Sequence, residues 1–222
     1  MAKQLNLIKL KAAASDFARE MSGKDIPELF GITDGKAVGT FVEHAFHNRL
    51  KGCFDYEVGS SASGIDFPTL GLDMKVTSVR QPQSSCPFRA AEQKIYGLGY
   101  HLLVFVYEKH DDNSTKVSRL NFLHVIFVEK NHTADYLTTK RILEILDRNG
   151  NKDDLVAFLE ERNLPLDEIG RDNLAERILR ERPEQGYLTV SNALQWRLQY
   201  GRIVSITASG GVEGVENLLK KP

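Results

Sequence analysis

The segment GIDFPTLGLDMKVTS, residues 64–78, combines the pattern of a β-strand with three charged side chains. Apolar residues occupy alternate positions of its second half, namely Leu72, Met74 and Val76. This alternation predicts a strand with one face on a core, so Asp73 and Lys75 share the other face. FPTLG is a short connection, so a strand that ends at Asp66 can pair with this one. We therefore expect two carboxylates and one ammonium to meet at one place on a sheet.

Asp66, Asp73 and Lys75 would together form a group that suits a divalent cation. Two neighbouring carboxylates repel each other, and a cation between them removes that repulsion. Mg²⁺ prefers oxygen ligands and keeps several waters, so two carboxylates together with substrate phosphate oxygens suit it. The metal can polarise a phosphodiester and activate a water, and a lysine can position that water or stabilise the developing charge. These residue types indicate metal-assisted phosphodiester hydrolysis.

The composition limits the classes of protein to which the chain can belong. It has 222 residues, of which 41% are hydrophobic, and a formal net charge of −1. This length allows one substantial core, or one core with a small subdomain. Because the charges are balanced, a DNA-binding surface would need basic residues concentrated locally. The two cysteines, Cys53 and Cys86, fit a reducing compartment better than a disulfide framework.

The N-terminus and the apolar runs bear on cellular location. Residues 1–21 are predicted to form an amphipathic helix and lack the continuous apolar block of a signal peptide. No apolar run approaches the roughly 18 residues of a membrane span. No GxxxxGK phosphate loop is present, so no nucleotide cofactor is expected. We expect a soluble, cytoplasmic protein.

The order of predicted elements indicates an α/β fold. Residues 40–130 have the order helix, two or three strands, helix, strand, strand, which is typical of a mixed central sheet flanked by helices. Residues 100–109, YHLLVFVYEK, form an almost continuous apolar run of the kind buried on both faces of a sheet. Residues from about 133 to about 200 are predicted to be mostly helical. We therefore expect a core with a helical lead-in at 1–132 and a helical region at 133–222 for DNA contact, dimerisation or core support.

GID at Gly64–Asp66 and DMK at Asp73–Lys75 resemble the core motif of the PD-(D/E)xK nuclease superfamily. The resemblance covers residues 38–107 and includes the upstream helix and the helix and strand that follow. Ile65 stands where many members have proline. The resemblance implies a restriction-endonuclease-like core. The short chain without an ATPase motif is most similar to an orthodox type II restriction endonuclease.

The resemblance also implies roles for individual residues. Asp66 and Asp73 would be Mg²⁺ ligands and Lys75 the catalytic lysine. Glu43 matches a catalytic acid that many members carry on the preceding helix. A second interpretation of Glu43 is structural, because TFVE fits a capping box with Thr40 as N-cap. Both interpretations of Glu43 remain open from the sequence.

The predicted DNA-binding residues lie beside the catalytic strand. Basic residues exceed acidic ones between Lys75 and His101, where Glu92 is the acid. The loop SVRQPQSS follows the strand directly and offers Arg, which pairs with guanine, and Gln, which pairs with adenine. We predict DNA contacts by six residues: Arg80, Gln81, Gln83, Ser84, Arg89 and Lys94. An ordinary polar surface loop is the alternative.

A second basic and aromatic segment occurs near the C-terminus. Arg197 and Arg202 flank the aromatic residues Trp196 and Tyr200. This segment can contact DNA or form a dimer, and its aromatic residues can equally pack in a core.

These features predict a Mg²⁺-dependent endonuclease that hydrolyses phosphodiester bonds of double-stranded DNA at a specific short sequence. The enzyme would act as a homodimer, because a twofold protein matches a palindromic site. A DNA repair or junction-resolving nuclease with the same core is one alternative. A non-catalytic DNA-binding protein that uses the C-terminal helices is another.

Overall fold

The computed structural model describes residues 3–59, 64–85, 90–191 and 197–219. These residues form seven α-helices: α1 (Leu7–Met21), α2 (Gly35–Lys51), α3 (Gln93–Tyr96), α4 (Tyr136–Asp147), α5 (Lys152–Glu161), α6 (Glu168–Arg180) and α7 (Gly201–Ala208). They also form ten strands: β1 (Lys3–Gln4), β2 (Asp25–Ile26), β3 (Phe54–Asp55), β4 (Leu72–Ser78), β5 (Gln83–Ser85), β6 (His101–Asp112), β7 (Val117–Val128), β8 (Thr189–Val190), β9 (Arg197–Gln199) and β10 (Val215–Asn217).

The central sheet has five strands and mixed direction. Its order is β10-β7-β6-β4, with β2 also paired to β7. Strands β4 and β6 are parallel, whereas β6 with β7 and β7 with β10 are antiparallel. Helices pack against this sheet, so the predicted α/β fold with a mixed central sheet flanked by helices is confirmed. Among the described strands, β4 lies at one edge of the sheet.

Strand β6 separates two apolar clusters, which explains its almost continuous apolar sequence. Leu103 and Phe105 pack with α1 and α2 on one face. Leu102, Val104 and Val106 pack on the other face with residues from the C-terminal part of the chain: Leu188, Leu198, Tyr200, Ile203 and Val215. A strand buried on both faces has no need of polar residues at alternate positions.

Helix α2 lies against β4 and positions one wall of the site described below. It begins at Gly35 because the Asp34 carboxylate accepts hydrogen bonds from Lys36 N and Ala37 N at 3.1 and 3.3 Å. Its buried face includes Val42 and Phe46, both fully enclosed in the cluster with Phe105. The N-cap therefore fixes which residues of α2 face β4.

The C-terminal region contains helices α4 to α7, but it also contains strands β8, β9 and β10, so it is less helical than predicted: Thr189–Val190 and Arg197–Gln199 are strands where a helix was expected. Helices α4, α5 and α6 pack with α3 around a third apolar cluster that includes Ile95, Ile142 and Leu174. Strand β10 pairs with β7 of the central sheet. The division at residue 132 stays a prediction. None of the described helices has both the length and the apolar composition needed to cross a bilayer.

We expect Leu188→Ala to lower the free energy of unfolding by about 2–5 kcal/mol, because Leu188 is fully buried against the central sheet. Leu137→Ala is the matched control, since Leu137 is 54% exposed on α4. The control should change the stability by less than about 0.5 kcal/mol. Urea denaturation of both variants measures the difference. Equal stabilities would contradict the packing of this region on the sheet.

Candidate active site

The apolar residues of β4 face the core as predicted, although burial itself does not alternate along the strand: Asp73 and Thr77 are also buried, and Val76 is half-buried. Leu72 and Met74 are fully buried in the cluster below α1 and α2. Asp73 is also buried, at 3% exposure, but lies on the opposite face, where the half-buried Lys75 follows it. Its neighbour in the parallel register of β6 is Leu102. Asp73 is therefore a carboxylate in an apolar setting at the edge of a sheet.

The chain reaches this strand through a tight turn rather than through a paired strand. We expected a strand ending at Asp66, and this is wrong: the chain bends there, and Pro68–Leu70 form a 3₁₀ helix. Proline has no N–H to offer to a strand ladder, so the connection closes as a turn. Phe67 and Leu72 form a single antiparallel bridge, with N–H to O distances of 3.0 and 3.2 Å. Gly71, at φ 55°, allows the reversal.

The bend nevertheless brings Asp66 to the predicted place. Asp66 Oδ2 accepts a hydrogen bond from the backbone N–H of Met74 at 2.7 Å. Met74 lies between Asp73 and Lys75 in the sequence, so the Asp66 carboxylate is held beside both. The edge position of β4 leaves this side of the strand accessible to a side chain.

An aromatic stack supports the same bend. The His47 ring of α2 stacks on Phe67 with centroids 5.0 Å apart, and Phe67 is buried. His47 Nδ1 also hydrogen-bonds with the Tyr56 hydroxyl at 2.9 Å. The residue that follows Asp66 is therefore fixed against α2.

Asp73 and Lys75 form an ion pair, with Lys75 Nζ 2.6 Å from Asp73 Oδ2. Burial raises the pKa of Asp73 to about 7, an effect that the Lys75 charge offsets only in part and that Asp66 strengthens. The buried Asp73 and the half-buried Asp66, together with one ammonium, carry an excess of negative charge when both carboxyl groups are ionised. The structure thus brings Asp66, Asp73 and Lys75 together.

Glu43 approaches the same group from α2. Burial raises its pKa first, the Asp66 charge raises it further, and the Lys75 charge opposes both effects. The capping-box interpretation of Glu43 is wrong, because α2 begins at Gly35 and Thr40 lies in its second turn. The Glu43 carboxylate is therefore not engaged in capping the helix and can take part in the site.

The donors present fit a divalent cation. Asp66 and Asp73 offer carboxylate oxygens, and Mg²⁺ can complete its shell with waters and substrate oxygens. Burial is the main cause of the raised pKa of Asp73, and a bound cation would oppose it by favouring the ionised carboxylate. No group of three or more His, Cys, Asp or Glu side chains among the described residues is arranged to hold a metal without such additional ligands.

A cleft of about 1140 Å³ opens beside Glu43 and Lys75. Four residues predicted to bind DNA line it: Arg80, Gln81, Gln83 and Ser84. The basic residues of its wall are Lys36, Lys75, Arg80, Lys109 and Arg197. The acidic residues of its wall are Asp34, Glu43 and Asp111. Lys109 pairs with Asp111, so basic side chains remain in excess along the cleft.

Sequence reasoning missed two of these basic residues. Lys36 reaches the cleft because Asp34 starts α2 there, and Lys109 reaches it at the end of β6. The parallel register of β4 and β6 brings Ser78 opposite Tyr107, two residues before Lys109. A parallel pairing predicted from the two strand patterns would have found Lys109.

One of the predicted DNA contacts, Lys94, is not in the cleft. Lys94 is 1% exposed, and burial lowers its pKa while the nearby Asp135 charge opposes that effect. The structure places Lys94 in the interior instead of on a DNA-binding surface, so we withdraw it from the predicted contacts. Arg89 lies outside the described residues.

Comparison with known proteins shows the family of the chain. A family model described as type II restriction enzyme NspV matches residues 4–217. The type II restriction enzyme NspV of Nostoc sp. (strain ATCC 29411 / PCC 7524) is 54% identical over 200 residues, which cover 90% of this chain and 91% of that protein. No solved structure matches the chain. The match includes the strand with Asp73 and Lys75 as well as the C-terminal region, and the chain belongs to the NspV family of type II restriction enzymes.

Proposed function

We propose that the protein is a Mg²⁺-dependent endonuclease of the PD-(D/E)xK superfamily that cuts double-stranded DNA at a specific short sequence. As a member of the NspV family, the chain is a type II site-specific deoxyribonuclease. The observation that carries the finer proposal is the convergence of Asp66 and Asp73 on Lys75, which lines a basic cleft together with Glu43.

Asp66 and Asp73 are the proposed metal ligands. Each offers carboxylate oxygens at the edge of β4, and together they carry the negative charge that attracts a divalent ion. When bound, Mg²⁺ polarises the scissile phosphodiester and lowers the pKa of a coordinated water. The bend at Asp66 and the strand at Asp73 hold the two carboxylates without help from the substrate.

Lys75 is the proposed catalytic lysine. Asp73 holds its ammonium within 2.6 Å and thereby fixes the direction of its N–H donors. Those donors can orient the attacking water and stabilise the negative charge that builds on the phosphate oxygens. Glu43, which lies near Lys75 and lines the same cleft, is proposed to orient the lysine from the other side. Hydrolysis would leave a 5′-phosphate, as the superfamily resemblance implies.

The cleft is the proposed path of the DNA. Basic side chains along it neutralise phosphates and position the duplex, a contribution that falls as salt rises. Arg80 and Gln81 are exposed at this wall, next to the end of β4. The DNA backbone would therefore pass directly over Lys75.

We further propose that two copies of the chain act together as a homodimer in the cytoplasm. A type II site is commonly read by a twofold protein because the two half-sites are then equivalent. Family membership favours cleavage of plain duplex over a repair or junction-resolving activity. A non-catalytic DNA-binding protein would have no use for the two carboxylates that meet beside Lys75.

Digestion of plasmid DNA with purified protein tests the proposal. With Mg²⁺ we expect discrete fragments whose ends share one short sequence and carry 5′-phosphates that ligase can join. With EDTA in place of Mg²⁺ we expect intact plasmid. Fragments with unrelated end sequences, cutting of branched DNA alone, or equal cutting in EDTA would each contradict the proposal.

A further inference from the structure

Strands β5 and β9 form an antiparallel ribbon beside the proposed catalytic strand. Its register pairs Gln83 with Gln199, Ser84 with Leu198 and Ser85 with Arg197. Strand β8 continues the small sheet on the far side of β9, so β9 is its middle strand. Residues directly opposite each other in such a pair point to the same face.

One face of this ribbon is buried. Leu198 is fully buried, and Ser84 Oγ shares a hydrogen bond of 2.6 Å with the hydroxyl of Tyr200, which is also fully buried. Ser84, which is half-buried at the cleft, therefore ties β5 to the buried Tyr200 through its hydroxyl. The pairs on either side of Ser84 and Leu198 point the other way, and their side chains are the exposed or half-buried ones: Gln83, Gln199, Ser85 and Arg197.

The ribbon is attached rigidly to the strand that carries Lys75. The Gln83 N–H donates to Thr77 Oγ1 at 3.0 Å, and the Tyr200 N–H donates to Pro82 O at 2.7 Å. Thr77 follows Lys75 by two residues, which is about 7 Å along a strand. Gln83 and Arg197 line the same cleft as Lys75.

The side chains on the exposed face suit bases better than phosphates. Gln83 and Gln199 carry no charge, so they add little to the electrostatic attraction of a DNA backbone. Each glutamine side chain offers an amide donor and an amide acceptor, which match the major-groove edge of adenine. The Arg197 guanidinium matches the major-groove edge of guanine. The major groove of B-DNA is wide enough for a two-stranded ribbon.

We infer that the exposed face of the β5–β9 ribbon reads the recognition sequence in the major groove. Gln83 and Gln199 would contact A·T pairs and Arg197 a G·C pair, so the recognised sequence contains both kinds of pair. The inference rests on the proposed function and deepens it, because it names the bases and the side chains that select them.

The test uses duplexes derived from the sequence that the wild-type protein cuts, each with one base pair changed. Single-turnover cleavage is measured for Arg197→Ala and Gln199→Ala. For Arg197→Ala we expect the discrimination at one G·C pair to fall by about 10- to 100-fold, with discrimination at the other pairs kept. For Gln199→Ala the same loss should occur at one A·T pair. Arg119→Ala, which removes an exposed ion pair between Arg119 on β7 and Asp25 on β2, is the control and should keep the whole profile.

Arg197→Gln is expected to change which base pair is preferred at one position, whereas Arg197→Ala is expected to lose discrimination there. Its amide suits adenine, so the preferred pair at that position should shift from G·C to A·T. Because Arg197 is exposed, we expect this variant to keep the wild-type melting temperature. If Arg197 instead bound a phosphate, every duplex would be cut more slowly by the same factor and the salt dependence of binding would weaken.

The outcomes separate the inference from the proposed function. A uniform loss on all duplexes, or an unchanged profile in folded variants, would overturn the reading role of the ribbon while the nuclease assignment stands. A wild-type protein that cuts no duplex in Mg²⁺ would instead overturn the proposed function.

Discussion

Asp73→Asn is expected to lower the rate of DNA cleavage by about 10³-fold or more, which corresponds to about 4 kcal/mol or more of lost transition-state stabilisation. Asparagine keeps the shape of the side chain but removes the charge that would hold the ion. Asp73 is 3% exposed, so bulk water has little access to its side chain and cannot take the place of the carboxylate as a ligand of the ion. Single-turnover cleavage of a cognate duplex at saturating Mg²⁺ measures the loss.

Asp153→Asn is the matched control for this variant, because Asp153 is exposed on α5 and does not line the cleft. Both variants should melt near the wild-type temperature, because asparagine keeps the shape of the aspartate side chain. Both should also bind the duplex, since Asp73 is not a proposed DNA contact. Cleavage by Asp73→Asn at the wild-type rate would contradict a catalytic role for Asp73.

Lys75→Ala is expected to lower the cleavage rate by about 10²–10⁴-fold while Mg²⁺ still supports the residual activity. Alanine removes the ammonium that lies 2.6 Å from Asp73 but leaves both proposed metal ligands in place. The loss should therefore appear in the single-turnover rate constant rather than in the affinity for the duplex.

Lys152→Ala is the control for the lysine variant. Lys152 lies on the surface of α5, where it pairs with Asp172 and Glu176, and such exposed pairs contribute little. Fluorescence anisotropy of a labelled duplex gives the affinity of each variant separately from its cleavage rate. A Lys75→Ala protein with wild-type kcat and weakened DNA binding would make Lys75 a phosphate contact instead of a catalytic residue.

The strand that carries the site was predictable because its signal is local. The alternation of Leu72, Met74 and the charged residues depends only on the period of a strand, and Leu72 and Met74 pack in the core as it predicts. The position of Asp66 was predicted correctly from the short connection, but its secondary structure was not. Pro68 and Gly71 favour a tight turn, and the single bridge between Phe67 and Leu72 replaces the expected ladder.

The start of α2 shows how two local signals compete. Thr40 with Glu43 fits a capping box, but Asp34 is an equally good N-cap six residues earlier. The upstream cap is used, because the residues that follow it bury Val38 and Val42 against β4 and the core. Packing decides between caps that the sequence leaves equivalent.

Long-range pairing was beyond the reach of sequence patterns. Ser85 pairs with Arg197, and nothing in either short segment indicates the other as its partner. The burial of Lys94 likewise depends on α4 and Asp135, which come much later in the chain. Such contacts depend on how separate elements pack, so the exposed face of the β5–β9 ribbon is visible only in the folded protein.

Crystals of the protein with its cognate duplex and Mn²⁺ in place of Mg²⁺ would test the central claim most directly, through the anomalous scattering of the metal. We predict a peak within about 2.5 Å of a carboxylate oxygen from both Asp66 and Asp73, with Lys75 facing the same phosphate. A metal held by other side chains, with Asp66 and Asp73 outside bonding distance, would contradict the assignment of this site.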